Sequence, residues 1–266
     1  MGKVIVIGAG PAGMMAAIKA AENGASVTLL EKTERVGKKM AITGKGRCNM
    51  TNAASIPEII QNIPGNGAFL NSAIHFFDNQ DVIAFFEDEG VPTVIERGNR
   101  VFPASSRAAD AVDAMLRRLH ELRVGVRLRA EVRDILTEDG RATGARLSSG
   151  EEIPAGAVIV ATGGASYPRT GSTGDGFRMA EALGHTIETP TPALVPLETE
   201  EDWPKELTGL SLKNVRVRLL SEDEPPEKLG EAFGEMMFTH FGVTGPIILT
   251  LSRVAAMYLR THDFIS

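Results

Sequence analysis

Two short apolar runs set the predicted framework of this chain. Residues 4–7 and 157–161 carry only aliphatic side chains, which is the pattern of parallel strands that are covered on both faces. The first run leads through a glycine-rich turn into a helix of small residues that ends near Gly24, and then into a second strand over residues 26–31. A strand, a helix and a strand in this order predict an α/β fold with a parallel sheet.

The spacing of apolar positions predicts helices between residues 55 and 90 and a further helix that ends near Leu122. The aromatic residues of the first region are predicted to lie in the core, because aromatic stripes at helical spacing are usually buried; they are Phe76, Phe77, Phe85 and Phe86. Short polar side chains at the helix starts are candidate caps: Asn71 or Ser72, Asn79, and Ser105 or Ser106.

Strand candidates alternate with turn residues through the middle of the chain. They lie at residues 91–95, 101–103 and 124–128. Residues 131–137 and 142–147 predict a hairpin, and residues 151–153 extend it into a small β-meander.

A change of character near Pro190 indicates a domain boundary. Pro190, Pro192 and Pro196 lie within seven residues of one another. Residues 212–219 and 231–238 are then strand candidates, and residues 247–258 are predicted to form an apolar helix. We therefore expect a first domain over residues 1–190 and a β-rich inserted domain over residues 191–266. The second domain is expected to be incomplete, because a new strand begins at the end of the chain, from Asp263 to Ser266.

The composition is that of a globular protein, and it argues against several classes of partner and site. The net charge of −6 over 266 residues provides no basic surface for nucleic acid, so no nucleic-acid partner is expected. The apolar start is too short for a signal peptide or a membrane span, and a cytoplasmic location follows as the default. The single cysteine, Cys48, rules out a disulfide within the chain. The five histidines have no ligand spacing, so no metal site is predicted: His75, His120, His185, His240 and His262.

Gly8, Gly10 and Gly13 have the G-x-G-x-x-G spacing of a dinucleotide-binding turn. The first glycine permits a tight turn, the second lets the backbone approach a pyrophosphate, and the third lets the helix pack on the strand. Pro11 and Ala12 open the helix, where free amides and the helix dipole attract phosphate. Glu31 ends the second strand, where a carboxylate can accept both hydroxyls of a ribose. The alternative is a tight turn without a ligand.

Residues 32–52 carry many glycines and polar side chains and little apolar periodicity, so they cannot form a core element by themselves. A long ordered loop beside a dinucleotide turn is most simply a ligand-binding loop. Its cations add positive charge beside the expected pyrophosphate: Lys38, Lys39, Lys45 and Arg47. The alternative is a solvated flexible loop.

A second glycine-rich segment follows the apolar run at residues 157–161. Ligands of open α/β sheets bind at the carboxyl ends of the strands, and glycines there allow a cofactor to approach closely. This segment contains Ala161, Thr162, Gly163 and Gly164, then Thr173, Gly174 and Asp175. Asp175 is also a candidate cap for the next helix.

Several strings resemble a bacterial family of FAD-dependent oxidoreductases. They are G-x-G-P-A-G at residues 8–13, the pair Glu31-Lys32, G-K-K at residues 37–39, and T-G-K-G-R-C-N-M-T-N at residues 43–52. Members of this family are labelled NAD(P)/FAD-dependent oxidoreductase, aminoacetone-oxidase-like or BaiN-like. The resemblance implies a Rossmann-like FAD-binding domain of the two-dinucleotide-binding type. It also implies that about a third of the family's architecture lies beyond residue 266.

The resemblance extends the expected FAD contacts beyond the turn. It implies that Lys32, Val132 and two glycine-rich segments lie along the cofactor, with Val132 against the adenine. The residues so assigned between positions 38 and 49 are Lys38, Lys39, Met40, Thr43, Gly44, Gly46, Arg47, Cys48 and Asn49. Residues 237–246 resemble the family's F-T-H-x-G-x-S-G-P motif, with Thr244 in place of serine. His240 is a candidate proton donor or substrate contact, and the alternative is that it fixes the turn by hydrogen bonds.

These features predict an FAD-dependent oxidoreductase that transfers hydride between the flavin and a small organic substrate. The family label implies NADH or NADPH as a transient reductant. Two other classes remain open, namely an NAD-dependent dehydrogenase and a flavin-binding protein that serves nucleic-acid modification. Cys48 has no second cysteine as a redox partner, so packing or a flavin contact is expected of it rather than disulfide reduction.

Overall fold

The computed structural model describes residues 2–263 and residue 265. It divides into two compact units, residues 1–187 and residues 188–266. The strand predicted at the end of the chain falls partly on Phe264 and Ser266, which lie outside the described residues.

The strands of the first unit are β1 (Lys3–Ile7), β2 (Ser26–Leu30), β3 (Thr51–Asn52), β4 (Thr93–Glu96), β5 (Arg100–Pro103), β6 (Gly125–Arg127), β7 (Val132–Glu138), β8 (Arg141–Leu147), β9 (Glu152–Pro154) and β10 (Ala157–Val160). Its α-helices are α1 (Pro11–Glu22), α2 (Lys38–Gly46), α3 (Ile56–Gln61), α4 (Asn71–Phe76), α5 (Asn79–Asp88), α6 (Ala108–Glu121) and α7 (Asp175–Ala182), with short 3-10 turns at Gly67–Leu70 and Pro168–Thr170.

A parallel sheet with strand order β10-β1-β2-β6 forms the framework of the first unit. Helices α1 and α6 pack together beside it, because both carry rows of alanine and methionine that allow close approach. The core between them includes Met14, Ala17, Ala111 and Met115, all almost completely buried. The predicted α/β fold and the strand–helix–strand start of the chain are confirmed.

The strand predicted to be buried at residues 157–161 is an edge strand. Its one hydrogen-bonded neighbour in the described sheet is β1, and 43% of Val160 is exposed. An unbroken aliphatic run therefore indicated the strand correctly but not its burial, because the other edge of β10 carries no partner strand among the described residues.

Two antiparallel sheets flank this framework. Strands β7, β8 and β9 form the predicted β-meander, which buries Val132, Ala145 and Leu147 against Ile5 and Leu30 of the parallel sheet. The second sheet has the order β3-β5-β4 and includes the predicted strands near residues 93 and 101.

Several predicted caps are wrong. Asp78, not Asn79, begins α5, because Asp78 accepts hydrogen bonds from Gln80 and Asp81 and the Asp81 carboxylate accepts one in return from Asp78 N. Asn79 instead donates to the carbonyls of Asn52 and Ala54. Helix α4 follows Leu70 without a side-chain cap, so neither Asn71 nor Ser72 caps it, and α6 follows Arg107, so neither Ser105 nor Ser106 is its cap.

The predicted aromatic core patch is only partly buried. Phe86 lies in the core and packs edge-on against Phe85, with ring centroids 5.2 Å apart. Phe76, by contrast, is 90% exposed. Helical spacing places Phe76 on a face of α4 that no described element of the first unit covers.

The segment predicted as a loop between residues 32 and 52 contains a helix. Helix α2 begins after Gly37 and is kinked at residues 43–45, where the backbone leaves helical geometry. Val36, Met40 and Cys48 are buried in the main core, so the segment contributes to the core, contrary to the prediction. Three apolar residues at irregular spacing gave no periodic signal.

The second unit is built on a sheet of order β11-β14-β13-β12. Its strands are β11 (Leu197–Glu198), β12 (Ser211–Leu220), β13 (Lys228–Thr239) and β14 (Gly242–Thr244), and its helices are α8 (Trp203–Glu206) and α9 (Pro246–Tyr258). Helix α9 packs on β13, with Leu251 and Ala255 buried against Leu219. The predicted strands and apolar helix are confirmed. Among the described residues, no helix combines the length and apolar character needed to cross a membrane.

Candidate functional site

A cavity of about 280 Å³ lies in the first unit, where β1, β2 and β10 end. Its position is the one expected of a ligand site in an open α/β sheet, outside the carboxyl ends of the strands. The sequence-predicted residues that line it are Gly8, Gly10, Pro11, Ala12, Glu31, Lys32, Lys38, Lys39, Val132, Ala161, Thr162, Gly163 and Asp175.

The three glycines of the turn are required for different reasons. Gly8 has φ of +98°, and a Cβ there would lie 2.6 Å from the Ala161 carbonyl oxygen. A Cβ on Gly13 would overlap the carbonyl oxygen of Gly8. A Cβ on Gly10 would meet nothing within 4 Å, so this glycine leaves open space in front of the first turn of α1. The unpaired amides of that turn can hold an anion there.

Glu31 is a buried carboxylate held in place by two backbone amides. It is 9% exposed; its Oε2 accepts a hydrogen bond from Ala9 N and its Oε1 accepts one from Thr33 N, both at 2.8 Å. A carboxylate can accept about four hydrogen bonds, so each oxygen retains a lone pair. The side chain is therefore held in one orientation with acceptor capacity left on both oxygens.

Three lysines line the cavity with different partners. Lys32 Nζ lies 2.6 Å from the carboxylate of Asp175 and donates to Thr173 Oγ1. Lys38 Nζ lies 3.2 Å from the carboxylate of Glu34.

The third cavity lysine bonds only to neutral oxygens. Lys39 Nζ donates to Ser172 Oγ at 2.7 Å and to the Ser166 carbonyl at 2.8 Å, with Ser166 Oγ at 3.4 Å. Its positive charge therefore faces the cavity without a carboxylate partner among the described residues.

The other end of the cavity is apolar. Val132 begins the meander and is almost completely buried, and Ala130 and Met179 line the same wall. These side chains provide a surface suited to a flat aromatic base. The expectation that Val132 contacts an adenine remains a prediction.

Most of the remaining predicted residues of the first unit lie away from this cavity. Gly13 packs behind the turn against Gly8 and Ala161, while Gly164 accepts a hydrogen bond from Gly174 N. Gly174 is the residue that precedes α7. Asp175, predicted as a cap, is the first residue of that helix, and its carboxylate binds Lys32 instead.

The G-K-G-R-C-N segment does not line the cavity. Lys45, Gly46 and Asn49 are exposed, whereas Gly44, Arg47 and Cys48 pack on the protein. A Cβ on Gly44 would lie 2.8 Å from the Phe102 ring. Arg47 binds Glu96 at 2.7 Å, and its guanidinium lies 4.1 Å from the centre of the Phe102 ring. The predicted residues that do not line the cavity here are Met40, Thr43, Gly44, Gly46, Arg47, Cys48 and Asn49.

Cys48 is a buried thiol. It has φ of +64° and is 2% exposed within the main core. Burial raises the pKa of this thiol, although a hydrogen bond with Thr43 acts in the opposite direction. A buried thiol of raised pKa is unreactive, which favours the predicted packing role.

His240 belongs to the second unit. It follows β13 at the turn to β14, is exposed, and meets the ring of Phe241 edge-on with centroids 4.9 Å apart. Within the described part of the chain its imidazole has no hydrogen bond, so the alternative that it fixes the turn by hydrogen bonds finds no support. The adjacent Thr239 Oγ1 is buried and has no partner among the described residues.

Several cavity residues were not selected from the sequence: Thr33, Arg35, Gly37, Thr170, Gly171, Ser172 and Met179. Gly37 stands in the G-K-K string, and Thr170 to Ser172 belong to the same glycine-rich stretch as Thr173. Gly37 and residues 170–172 therefore lie in glycine-rich segments that the sequence does indicate, but their residue types are those of ordinary turns.

Comparison with known families identifies the family of this chain. The family model described as HI0933-like protein Rossmann domain matches residues 2–250. The chain belongs to this family. The resemblance inferred from the G-x-G-P-A-G and G-R-C-N strings is thereby confirmed, as is the Rossmann-like fold.

Two curated relatives match almost the whole of this chain. The 3-dehydro-bile acid delta(4,6)-reductase of Clostridium scindens is 31% identical over 256 residues, which cover 95% of this chain and 60% of the relative. The ribosomal RNA dihydrouridine synthase of Escherichia coli is 30% identical over 264 residues, 98% of this chain and 62% of the relative. The chain therefore spans about 60% of the length of these relatives.

The fold also resembles solved structures. A 3-ketosteroid-delta4-(5alpha)-dehydrogenase from Rhodococcus jostii aligns with a TM-score of 0.52 at 18% identity, over 79% of this chain and 59% of that one. At this identity the similarity concerns the fold alone.

Proposed function

We propose that this chain forms the FAD-binding part of a reductase that saturates a carbon–carbon double bond conjugated to a carbonyl group. The observation that carries the cofactor assignment is the combination, in one cavity, of an open first helical turn and a fixed buried carboxylate. The open turn suits a pyrophosphate, and the carboxylate suits a ribose with free hydroxyls.

The residues present fit FAD. The space in front of Gly10 would admit the pyrophosphate, since no atom lies within 4 Å of a Cβ built there. Glu31 would accept the ribose hydroxyls, and Lys39 would balance phosphate charge. Val132 would lie against the adenine. When bound, FAD supplies hydride transfer, while the protein supplies binding, orientation and charge.

The names of the two relatives support one class of substrate. A 3-dehydro bile acid with double bonds at positions 4 and 6 carries those bonds in conjugation with its ketone. Dihydrouridine is uridine whose ring double bond, conjugated to a carbonyl, has been saturated. Reduction of a simple enone, such as that in the uridine ring, adds hydride to the carbon β to the carbonyl and a proton to the α carbon. In a conjugated dienone the hydride can add instead to the far end of the conjugated system. We propose the same bond type as the substrate of this protein.

His240 is proposed as the proton donor or a substrate contact. Its imidazole is exposed and is not engaged in hydrogen bonds within the described residues, and histidine is the side chain that most often transfers protons in enzymes. Its proposed role is independent of nucleotide binding, so His240→Gln should lower turnover and leave FAD affinity unchanged. A loss of FAD affinity in that variant would contradict the assignment.

NADH or NADPH is proposed as the reductant. The test is anaerobic mixing of the FAD-loaded protein with each nicotinamide, followed by addition of a 4-en-3-one steroid or, separately, of uridine-containing ribosomal RNA. We expect bleaching of the flavin by the nicotinamide and return of its absorbance with one of the two substrates. Reoxidation by the steroid supports a small-molecule substrate, as predicted from the sequence. Reoxidation by RNA alone would favour the nucleic-acid modification that the Escherichia coli relative's name suggests.

An NAD-dependent dehydrogenase is the competing function. A colourless protein that binds NAD and leaves FAD in solution would support that function and contradict the flavin proposal. Reduction of the flavin without reoxidation by either substrate would contradict the proposed bond type.

A further inference from the structure

Lys39, which bonds only to neutral groups, connects two segments of the chain. Lys39 lies in the first turn of α2, and its partners Ser166 and Ser172 lie in the segment between β10 and α7, residues 163–174. Ser172 is buried and lies beside Gly163 at the wall of the cavity. The Lys39 side chain therefore connects α2 to this segment at the wall of the cavity.

The charges around Lys39 distinguish it from its neighbours. Lys32 and Lys38 are each paired with a carboxylate, at 2.6 Å and 3.2 Å respectively. An ammonium group that bonds only to hydroxyl and carbonyl oxygens gains more from an incoming phosphate, because no carboxylate already neutralises its charge and the attraction between opposite charges is added to the hydrogen bond. Arg35 also lines the cavity, but its side chain is exposed to solvent and next in sequence to Glu34.

The 163–174 segment has a second attachment, to a lysine that is already paired with a carboxylate. Thr173 and Asp175 bind Lys32, and Gly174 N donates to the Gly164 carbonyl. Release of Ser166 and Ser172 would therefore remove the hydrogen bonds from Lys39 to the middle of the segment, while its end stays bound to Lys32, two residues beyond β2.

We propose that Lys39 is a latch for the nucleotide cavity. Its ammonium group fastens residues 163–172 to α2 through Ser166 and Ser172; when a dinucleotide enters, Lys39 exchanges these two partners for the phosphates. The segment is thereby released to adjust around the ligand while the Lys32–Asp175 pair holds its end. This inference rests on the proposed dinucleotide binding and assigns one of its residues a gating role.

The test uses ADP, because it carries the ribose and the two phosphates common to FAD and NAD. Ser172→Ala removes one neutral partner but keeps the lysine charge. We expect faster ADP association by stopped flow and several-fold faster hydrogen exchange of amides 163–172 in the nucleotide-free protein. Ser166→Ala is the matched control, since its hydroxyl lies at 3.4 Å and its carbonyl contact remains.

Lys39→Gln should also speed exchange of the segment, but it should weaken ADP binding by about tenfold or more, because a charged hydrogen bond to phosphate is lost. Lys38→Gln removes the same charge from a lysine that is already paired, and a smaller loss is expected. Unchanged or slower association in Ser172→Ala would overturn the latch, as would equal ADP affinity in Lys39→Gln and the unaltered protein. Retention of ADP with the expected kinetics but no retention of FAD would support the latch and contradict the flavin proposal.

Discussion

Two glycine-rich segments of the first unit, residues 8–13 and residues 44–49, look equally suited to a cofactor in the sequence but have opposite surroundings. The first opens onto the cavity, with free space in front of Gly10 and a carboxylate fixed beside it. The second packs on Phe102, pairs Arg47 with Glu96 and buries Cys48 in the core.

The difference shows what glycine contributes in each place. At Gly8 and Gly13 its missing Cβ allows backbone to pack on backbone, and at Gly10 it adjoins open space. At Gly44 it allows an aromatic ring to approach the kink of α2. Closely spaced glycines therefore indicate a tight turn in both segments. The side chains around each turn determine whether the space beside it stays open or is filled by the core.

The largest expected effect separates two glycines of the first segment. Gly13→Ala should destabilise the fold by about 3 kcal/mol or more, because its Cβ would overlap the Gly8 carbonyl oxygen. The free energy of unfolding of Gly10→Ala should lie within about 0.5 kcal/mol of that of the unaltered protein. Its nucleotide affinity should nevertheless fall, because the added Cβ would occupy the space proposed for phosphate. Urea denaturation and ADP titration measure the two quantities. Equal stability of the two variants would contradict the assigned packing.

Next in size is the contribution of the fixed carboxylate. Glu31→Gln should weaken FAD and ADP binding by about tenfold to a hundredfold, because a charged acceptor of ribose hydroxyls is lost and an amide group would face Ala9 N or Thr33 N. Glu34→Gln, an exposed carboxylate three residues further along, is the matched control. Calorimetric titration gives both affinities. Similar losses in the two variants would indicate a general charge effect rather than a ribose contact.

A smaller effect is expected in the second segment. Arg47→Met should destabilise the protein by about 1 kcal/mol, because it removes a half-exposed ion pair and the contact with the Phe102 ring. ADP affinity should stay unchanged, as Arg47 does not line the cavity. A loss of ADP affinity without a loss of stability would indicate that Arg47 contacts the nucleotide, and would contradict the difference drawn here between the two segments.

The smallest effect concerns pH and Cys48. Burial raises the pKa of this thiol in the folded protein, so the unfolded thiol ionises first as the pH rises. Its contribution to the free energy of unfolding should be complete below the ordinary thiol pKa of about 8.5 and decline above it. The comparison of Cys48→Ala with the unaltered protein in urea at about pH 7 and about pH 10 isolates this contribution. A pH dependence that is the same in both proteins would contradict it.

The sequence predicted best where local rules act alone. The strand, the turn of Gly8 to Gly13 and helix α1 follow from residue spacing, and each glycine there has a steric reason that needs only neighbouring backbone. The choice of Asn79 over Asp78 as a cap failed because adjacent polar residues have similar intrinsic preferences; the reciprocal bond with Asp81 decides between them.

Contacts between distant segments could not be predicted in the same way. Nothing in the local sequence pairs Arg47 with Glu96, or Lys39 with Ser172, because these residues are brought together only by the fold. Helix α2 was missed because Val36, Met40 and Cys48 pack into the core without helical or strand periodicity. The sequence likewise does not separate the three cavity lysines, because only the fold pairs Lys32 and Lys38 with carboxylates and leaves Lys39 bonded to neutral oxygens among the described residues.

The measurement that tests the central claim most directly is a titration of this protein with FAD, followed by flavin fluorescence, alongside Gly10→Ala. The account predicts saturable binding by the unaltered protein, competition by ADP, and loss of binding in the variant while its urea denaturation profile is preserved. FAD binding of equal strength in both proteins, or none in the unaltered protein, would contradict the assignment of the cavity beside Gly10 to a flavin dinucleotide.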